Sequence, residues 1–144
     1  MHHNPTDAEI RSLLTKATTI AMVGASSNPE RASYGVMRRL QRVGYRVIPI
    51  NPRETEILGE RVYPALSAID THVDIVDVFR REEFTPAIAT EAVAIKAGAL
   101  WLQLGVHNEE AAAIATAGGL VVVTNMCIAV AHSLFSVPVR RAPL

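Results

Sequence analysis

Hydroxyls at Ser26, Ser27 and Ser33, the amide of Asn28 and the guanidinium of Arg31 gather within the segment TIAMVGASSNPERASYGVMRRLQRVG, Thr19 to Gly44. Such groups suit a phosphate lying along a loop. Before them, the apolar run Ile20 to Val23 stops at Gly24, as a strand buried on both faces does. After them, Val36, Met37, Leu40 and Val43 recur at helical spacing, with Ser33 placed as an N-cap and Gly44 as the residue that follows the helix. A helix that begins beyond the carboxyl end of a parallel strand aims its unpaired amides and positive dipole end at the loop. The expected ligand therefore carries phosphates, although an ordinary polar loop would read the same way locally.

The loop departs from the dinucleotide fingerprint. Counting G-x-G-x-x-G from Gly24 puts Ser26 at the second glycine and Pro29 at the third, so a standard NAD loop is not expected. Asn51, Pro52 and Arg53 stand at the end of the next strand, where an NAD-binding unit carries an acid for the ribose 2′-hydroxyl. Arg53 would complement an extra phosphate on the adenosine ribose, which fits NADP or coenzyme A; a solvated loop charge is the other reading.

Groups for bond-breaking chemistry are sparse. His107 follows a strand end with no serine or cysteine to partner it. Asp74 and Asp77 fall in one predicted strand an odd number of residues apart, so they face opposite sides and form no carboxylate pair. Cys127, the single cysteine, reads as a small buried hydrophobe after the last strand, on the edge where the thiol of a bound CoA would come within reach. His2 and His3 lack other nearby ligands. No catalytic residue and no metal site is assigned.

The elements that must position these groups follow from pattern. Thr6 and Glu9 form a capping box ahead of the stripe Ile10, Leu13, Leu14 and Ala17, a helix over about 6–17 expected to close one edge of the sheet. Strands are predicted at Tyr45 to Ile50, Val73 to Phe79, Ala99 to Leu104 and Leu120 to Thr124, with a short edge strand near Val62 and a turn of helix near Pro64. Thr85-Pro86 reads as N-cap and N1 of a helix that reaches Ala97 and ends at Gly98, Asn108 caps another that Gly118-Gly119 stops, and the tail is helical through Ser133. Strands alternating with helices predict an α/β fold, a single doubly wound parallel sheet with helices on both faces. Its ligand site belongs at the carboxyl ends of the strands, at a switch point between the first strand and Val73 to Phe79. Gly24 to Ser27, Asn51 to Arg53, Phe79 to Arg81, and Gln103 with Gly105 converge there, and Phe79 is placed to cover an adenine ring.

Composition narrows the function classes. The 144 residues are 49 % hydrophobic, one domain's worth of core. Lysine plus arginine and aspartate plus glutamate are both 14 and aromatics are 5 %, which argues against nucleic-acid binding. One cysteine, no signal-peptide pattern and no spanning apolar run lead to an expectation of a cytoplasmic protein without a membrane segment.

In order, VGASSNPERASYGVMRRL, GYRVIPINP, EILGERVYPAL, VDIVDVFRR, LWLQLGVHNEEAA and the late Cys127 resemble the small stand-alone CoA-binding protein family, which is similar to the N-terminal CoA-binding domain of the succinyl-CoA synthetase α subunit. The resemblance spans Thr19 to His132 and implies a Rossmann-like fold over a core of about 19–132 that holds CoA, with the adenosine end near Asn51 and Pro52 and the phosphates near Gly24 to Tyr34. It carries contacts onto Gly24, Ala25, Ser26, Arg31, Ser33, Tyr34, Asn51, Pro52, Phe79 and Arg80, with Gln103 and Gly105 as neighbours. Ser27 and Arg53 join them from loop chemistry.

Two departures bear on activity. Where many members read D-[RK]-C followed by a glutamate and a histidine, this chain has Asn125, Met126, Cys127, Ala131 and His132, so the family's charge network is absent or changed there. The ligase subunit carries its phosphorylated histidine in a further domain, for which 144 residues are not expected to leave room. The sequence thus predicts non-catalytic binding of CoA or an acyl-CoA, with a protein partner open. Its alternatives are an NADP-dependent oxidoreductase and an interaction module that has lost its ligand.

Overall fold

Five consecutive buried residues, Thr19–Val23, form the strand β1 that the apolar run predicts. The structure, a computed structural model, describes residues 1–140. Helix α1 (Asp7–Lys16) precedes β1, and α2 (Ala32–Arg42), β2 (Arg46–Ile50) and a two-residue hairpin, β3 (Glu56–Ile57) with β4 (Glu60–Arg61), follow it. The chain continues through β5 (Ile75–Val78), α3 (Thr85–Ala94), β6 (Ala99–Leu102), α4 (Glu109–Ala117), β7 (Val121–Val123) and α5 (Ile128–Leu134). Short 3-10 turns lie at Leu66–Ala68 and Glu82–Phe84.

The main sheet has the order β2-β1-β5-β6-β7, and every pairing is parallel. From β1 the chain moves outward to β2 and then crosses back to β5 on the other side, so the order reverses between β1 and β5. That is the expected switch point. Alternate side chains of β1 enter opposite cores: Ile20 and Met22 pack with Ile10 and Leu14 of α1, Met37 and Leu40 of α2, and Ile128 of α5. Ala21 and Val23 pack with Ile88, Ala89 and Ala92 of α3 and Ala111, Ala112 and Ala115 of α4. Period-two alternation with both faces buried is what makes the fold α/β and doubly wound.

Several local expectations change. Helix α1 covers a face of the sheet instead of closing an edge, because Ile10 and Leu14 are fully buried beneath it and the edges belong to β2 and β7. The strand near Val62 becomes the separate β3–β4 hairpin, tied to the main sheet by a parallel bridge from Tyr63 to Ile50. Arg31, not Ser33, is the N-cap of α2: its carbonyl accepts from the Tyr34 amide at 3.1 Å, which places the buried Ser33 inside the first turn. Thr85 begins α3 instead of capping it, since its hydroxyl donates back to the Glu82 carbonyl at 2.6 Å and joins the 3-10 turn to the helix. That helix ends at Ala94, where Lys96 at φ 57° turns the chain before Gly98 is reached. The capping box of Thr6 with Glu9, the Asn108 cap and the left-handed Gly44 at φ 104° are as the sequence predicts.

Candidate functional site

At the carboxyl end of β1 the chain must turn away from β5 while lying against it. Gly24 has φ 85°, and a Cβ there would stand 2.4 Å from the Phe79 carbonyl oxygen. Glycine is therefore required by the left-handed backbone and by the contact with the end of β5. Beyond it, the loop is braced by its own polar groups. The Ser26 hydroxyl accepts from the Asn28 amide at 3.0 Å, and the Asn28 side chain accepts from the Glu30 amide at 3.0 Å. From the end of β2, the Asn51 side-chain amide donates to the Ala25 carbonyl at 2.8 Å, and its oxygen accepts from the Arg53 amide at 2.8 Å. The Ser27 amide donates to the Glu54 carboxylate at 3.0 Å.

This frame walls a cleft of about 800 Å³ over the switch point. Gly24, Ala25, Ser26, Arg31, Ser33, Asn51, Pro52, Arg53, Phe79 and Arg80 all line it. Ser27 and Tyr34 do not, and Ser27 faces Glu54 instead. The opposite wall, which sequence reasoning missed, comes from Pro64, Ala65, Leu66, Phe84, Ala87, Ile88 and Glu91. A second cleft, of about 830 Å³, shares Ala32, Phe79 and Arg80 with the first and extends past Val36, Gln103, Leu104, Gly105, Val106 and Cys127. Gln103 and Gly105 belong there. Cys127, expected as a buried packing residue, is only half-buried because it is the N-cap of α5 at the rim of this second cleft. Arg80 stands in the shared wall with its guanidinium 4.4 Å from the centre of the Phe84 ring.

Charge is distributed unevenly around the clefts. The first turn of α2 contains no acidic residue and its N-cap makes no side-chain bond, whereas α1 and α4 each have a capping side chain and acids in the first turn. The amide end of α2 is thus left open toward Arg31 and the first cleft.

Asp74, Asp77, Tyr45, His132 and His107 line neither cleft. Asp74 precedes β5 and does not lie within it; burial raises its pKa, but bonds from the Thr18 and Thr19 amides and the Thr18 hydroxyl outweigh that and hold the carboxyl below its usual range. Asp77 lies in β5 between Met22 of β1 and Trp101 of β6, fully buried, and its oxygens have no hydrogen-bond partner among the described residues. Burial pushes its pKa well above the ordinary carboxyl value. The Tyr45 hydroxyl, which donates to the Leu14 carbonyl, is pushed up to about 12 by burial. His132 packs edge-on against Tyr45 with centroids 5.7 Å apart, and burial, then Arg39 and Arg140, lower its pKa. His107 reaches Glu109 at 3.1 Å and lines neither cleft. The contacts around Asn125 and Met126 are neutral: the Asn125 side chain accepts from the Gly105 amide at 2.7 Å, and Trp101 donates to the Met126 carbonyl at 2.8 Å.

Residues 18–133 match the family model described as CoA binding domain. The chain belongs to this family. It is 41 % identical over 131 residues to the Bacillus subtilis protein YneT, covering 91 % of this chain and 97 % of that protein. It is 33 % identical over 66 residues to the Pyrococcus furiosus acetate–CoA ligase (ADP-forming) II subunit alpha, covering 45 % of this chain and 14 % of that subunit. Among solved structures, a protein from Pyrococcus horikoshii superposes with a TM-score of 0.89 at 35 % identity, covering 94 % of this chain and 99 % of that one. Family membership supports a CoA-binding role, and among the described residues no helix is long and apolar enough to cross a membrane.

Proposed function

We propose that the chain binds CoA or an acyl-CoA without turning it over, with the nucleotide in the first cleft. The observation that carries this reading is the convergence of three guanidinium-bearing residues, Arg31, Arg53 and Arg80, with the open amide end of α2 around one cleft at the switch point of a CoA-binding-family fold. CoA presents a pyrophosphate and a ribose 3′-phosphate, and separate cations suit separate phosphates. Arg31 with the α2 amides is assigned to the pyrophosphate, Arg53 to the ribose phosphate, and Phe79 to the face of the adenine. Asn51 and Ser26 act mainly as braces, because their side chains are already bonded to the loop. A braced loop loses little conformational freedom when the ligand arrives.

Mass spectrometry of the protein purified under native conditions tests this. A co-purifying mass that dissociates as CoA or a CoA thioester is the expected result; a co-purifying nicotinamide dinucleotide would overturn it.

A further inference from the structure

The second cleft differs in chemistry from the first while opening directly onto it. Ala32, Phe79 and Arg80 belong to both walls, so a chain leaving a pyrophosphate held at Arg31 can pass into the second cleft without leaving the protein surface. There it meets Val36, Leu104, Val106 and Cys127 in place of the serines of the first cleft. Charge on its rim is confined to the segment after β5. Arg81 is paired with Glu83 at 3.6 Å, and Arg80 stacks on Phe84 in the shared wall. Arg80 and Arg81 balance Glu82 and Glu83, so the rim carries no net charge, and Glu82 makes no ion pair among the described residues.

We propose that the second cleft is an acyl chamber that takes the thioester end of an acyl-CoA and selects a short, uncharged, apolar acyl group over a dicarboxylic one. The inference rests on the reading of the first cleft as the nucleotide site. An apolar acyl group gains by leaving water along Val36, Leu104 and Val106. A terminal carboxylate loses solvation in the same place and faces Glu82. Arg81, solvent-exposed beside Glu83 at 3.6 Å, offers that carboxylate only a screened partner.

Calorimetric titration of the intact protein with CoA, butyryl-CoA and succinyl-CoA tests the proposal. Butyryl-CoA is expected to bind about tenfold more tightly than CoA, the gain from partly burying a few methylenes, and succinyl-CoA no more tightly than CoA. The double substitution Glu82→Gln with Glu83→Gln removes the acids and leaves Arg81 unopposed, so the preference for butyryl-CoA over succinyl-CoA should shrink by about two- to fivefold. CoA binding with equal affinity for all three ligands would overturn the acyl chamber and leave the nucleotide site standing. Failure of CoA itself to bind would overturn both.

Discussion

Arg31 is the residue on which the phosphate assignment depends most, because it stands at the N-cap of α2 and lines the first cleft without a side-chain hydrogen bond among the described residues. Arg31→Ala is expected to weaken CoA binding by at least about tenfold, the loss of a charge-assisted hydrogen bond, with the unfolding midpoint unchanged. Calorimetry and a melting curve on the same variant check both halves, and unchanged affinity would return Arg31 to solvent. Asp77 carries a second prediction at this scale. Its folded pKa is raised above the unfolded one, so the native state holds the proton over a wider range. Its contribution is fully present below the ordinary carboxyl range and is lost as pH rises toward the folded pKa. The stability of the wild type relative to Asp77→Asn should accordingly fall as pH rises above about 4, as read from urea unfolding at several pH values. A constant difference would show that Asp77 does not change its protonation on unfolding. Most of the residues that converge were legible in the sequence because each directly follows a strand, and topology alone brings strand ends together. Glu54 was not legible, since its bond to Ser27 spans 27 residues and nothing local announces it.

Elements were read well where period and punctuation agreed and poorly where a short tertiary bond decided. The apolar run of β1 and the capping box of α1 needed no long-range information. The starts of α2 and α3 did, because the Arg31 carbonyl and the Thr85 hydroxyl reset the first turn by bonds that hydrophobic spacing cannot register. The far wall of the first cleft was missed for a related reason. Helical period gives the buried face of α3, but not the distance from Phe84 and Ile88 to the loop across the sheet. At this scale Gly24→Ala is the sharpest test of the β1–loop–α2 unit. A left-handed non-glycine residue costs about 1 to 3 kcal/mol, and here a methyl would also displace the Phe79 carbonyl from its place beside β1. Denaturant unfolding should therefore show a loss of at least about 1 kcal/mol, together with weakened CoA binding. A variant as stable as the wild type would mean that the β1 and β5 ends separate readily. Asn108→Ala supplies the contrast: it removes the α4 cap, costing about 1 kcal/mol, at a residue that lines neither cleft, so CoA affinity should hold.

For the whole molecule, the order β2-β1-β5-β6-β7 opens a crevice between β1 and β5, family membership supports a CoA-binding role, and the proposed function joins the two. The measurement that tests this most directly is the thermal midpoint of the intact protein with CoA and, separately, with NAD. A ligand at a hundred times its dissociation constant adds about 2.7 kcal/mol, which for a domain of this size raises the midpoint by roughly 5 to 10 °C. The account predicts that rise with CoA and none with NAD at the same concentration, because Asn51-Pro52-Arg53 replaces the acid that would hold the ribose 2′-hydroxyl. Equal shifts from the two, or a shift from NAD alone, would contradict it.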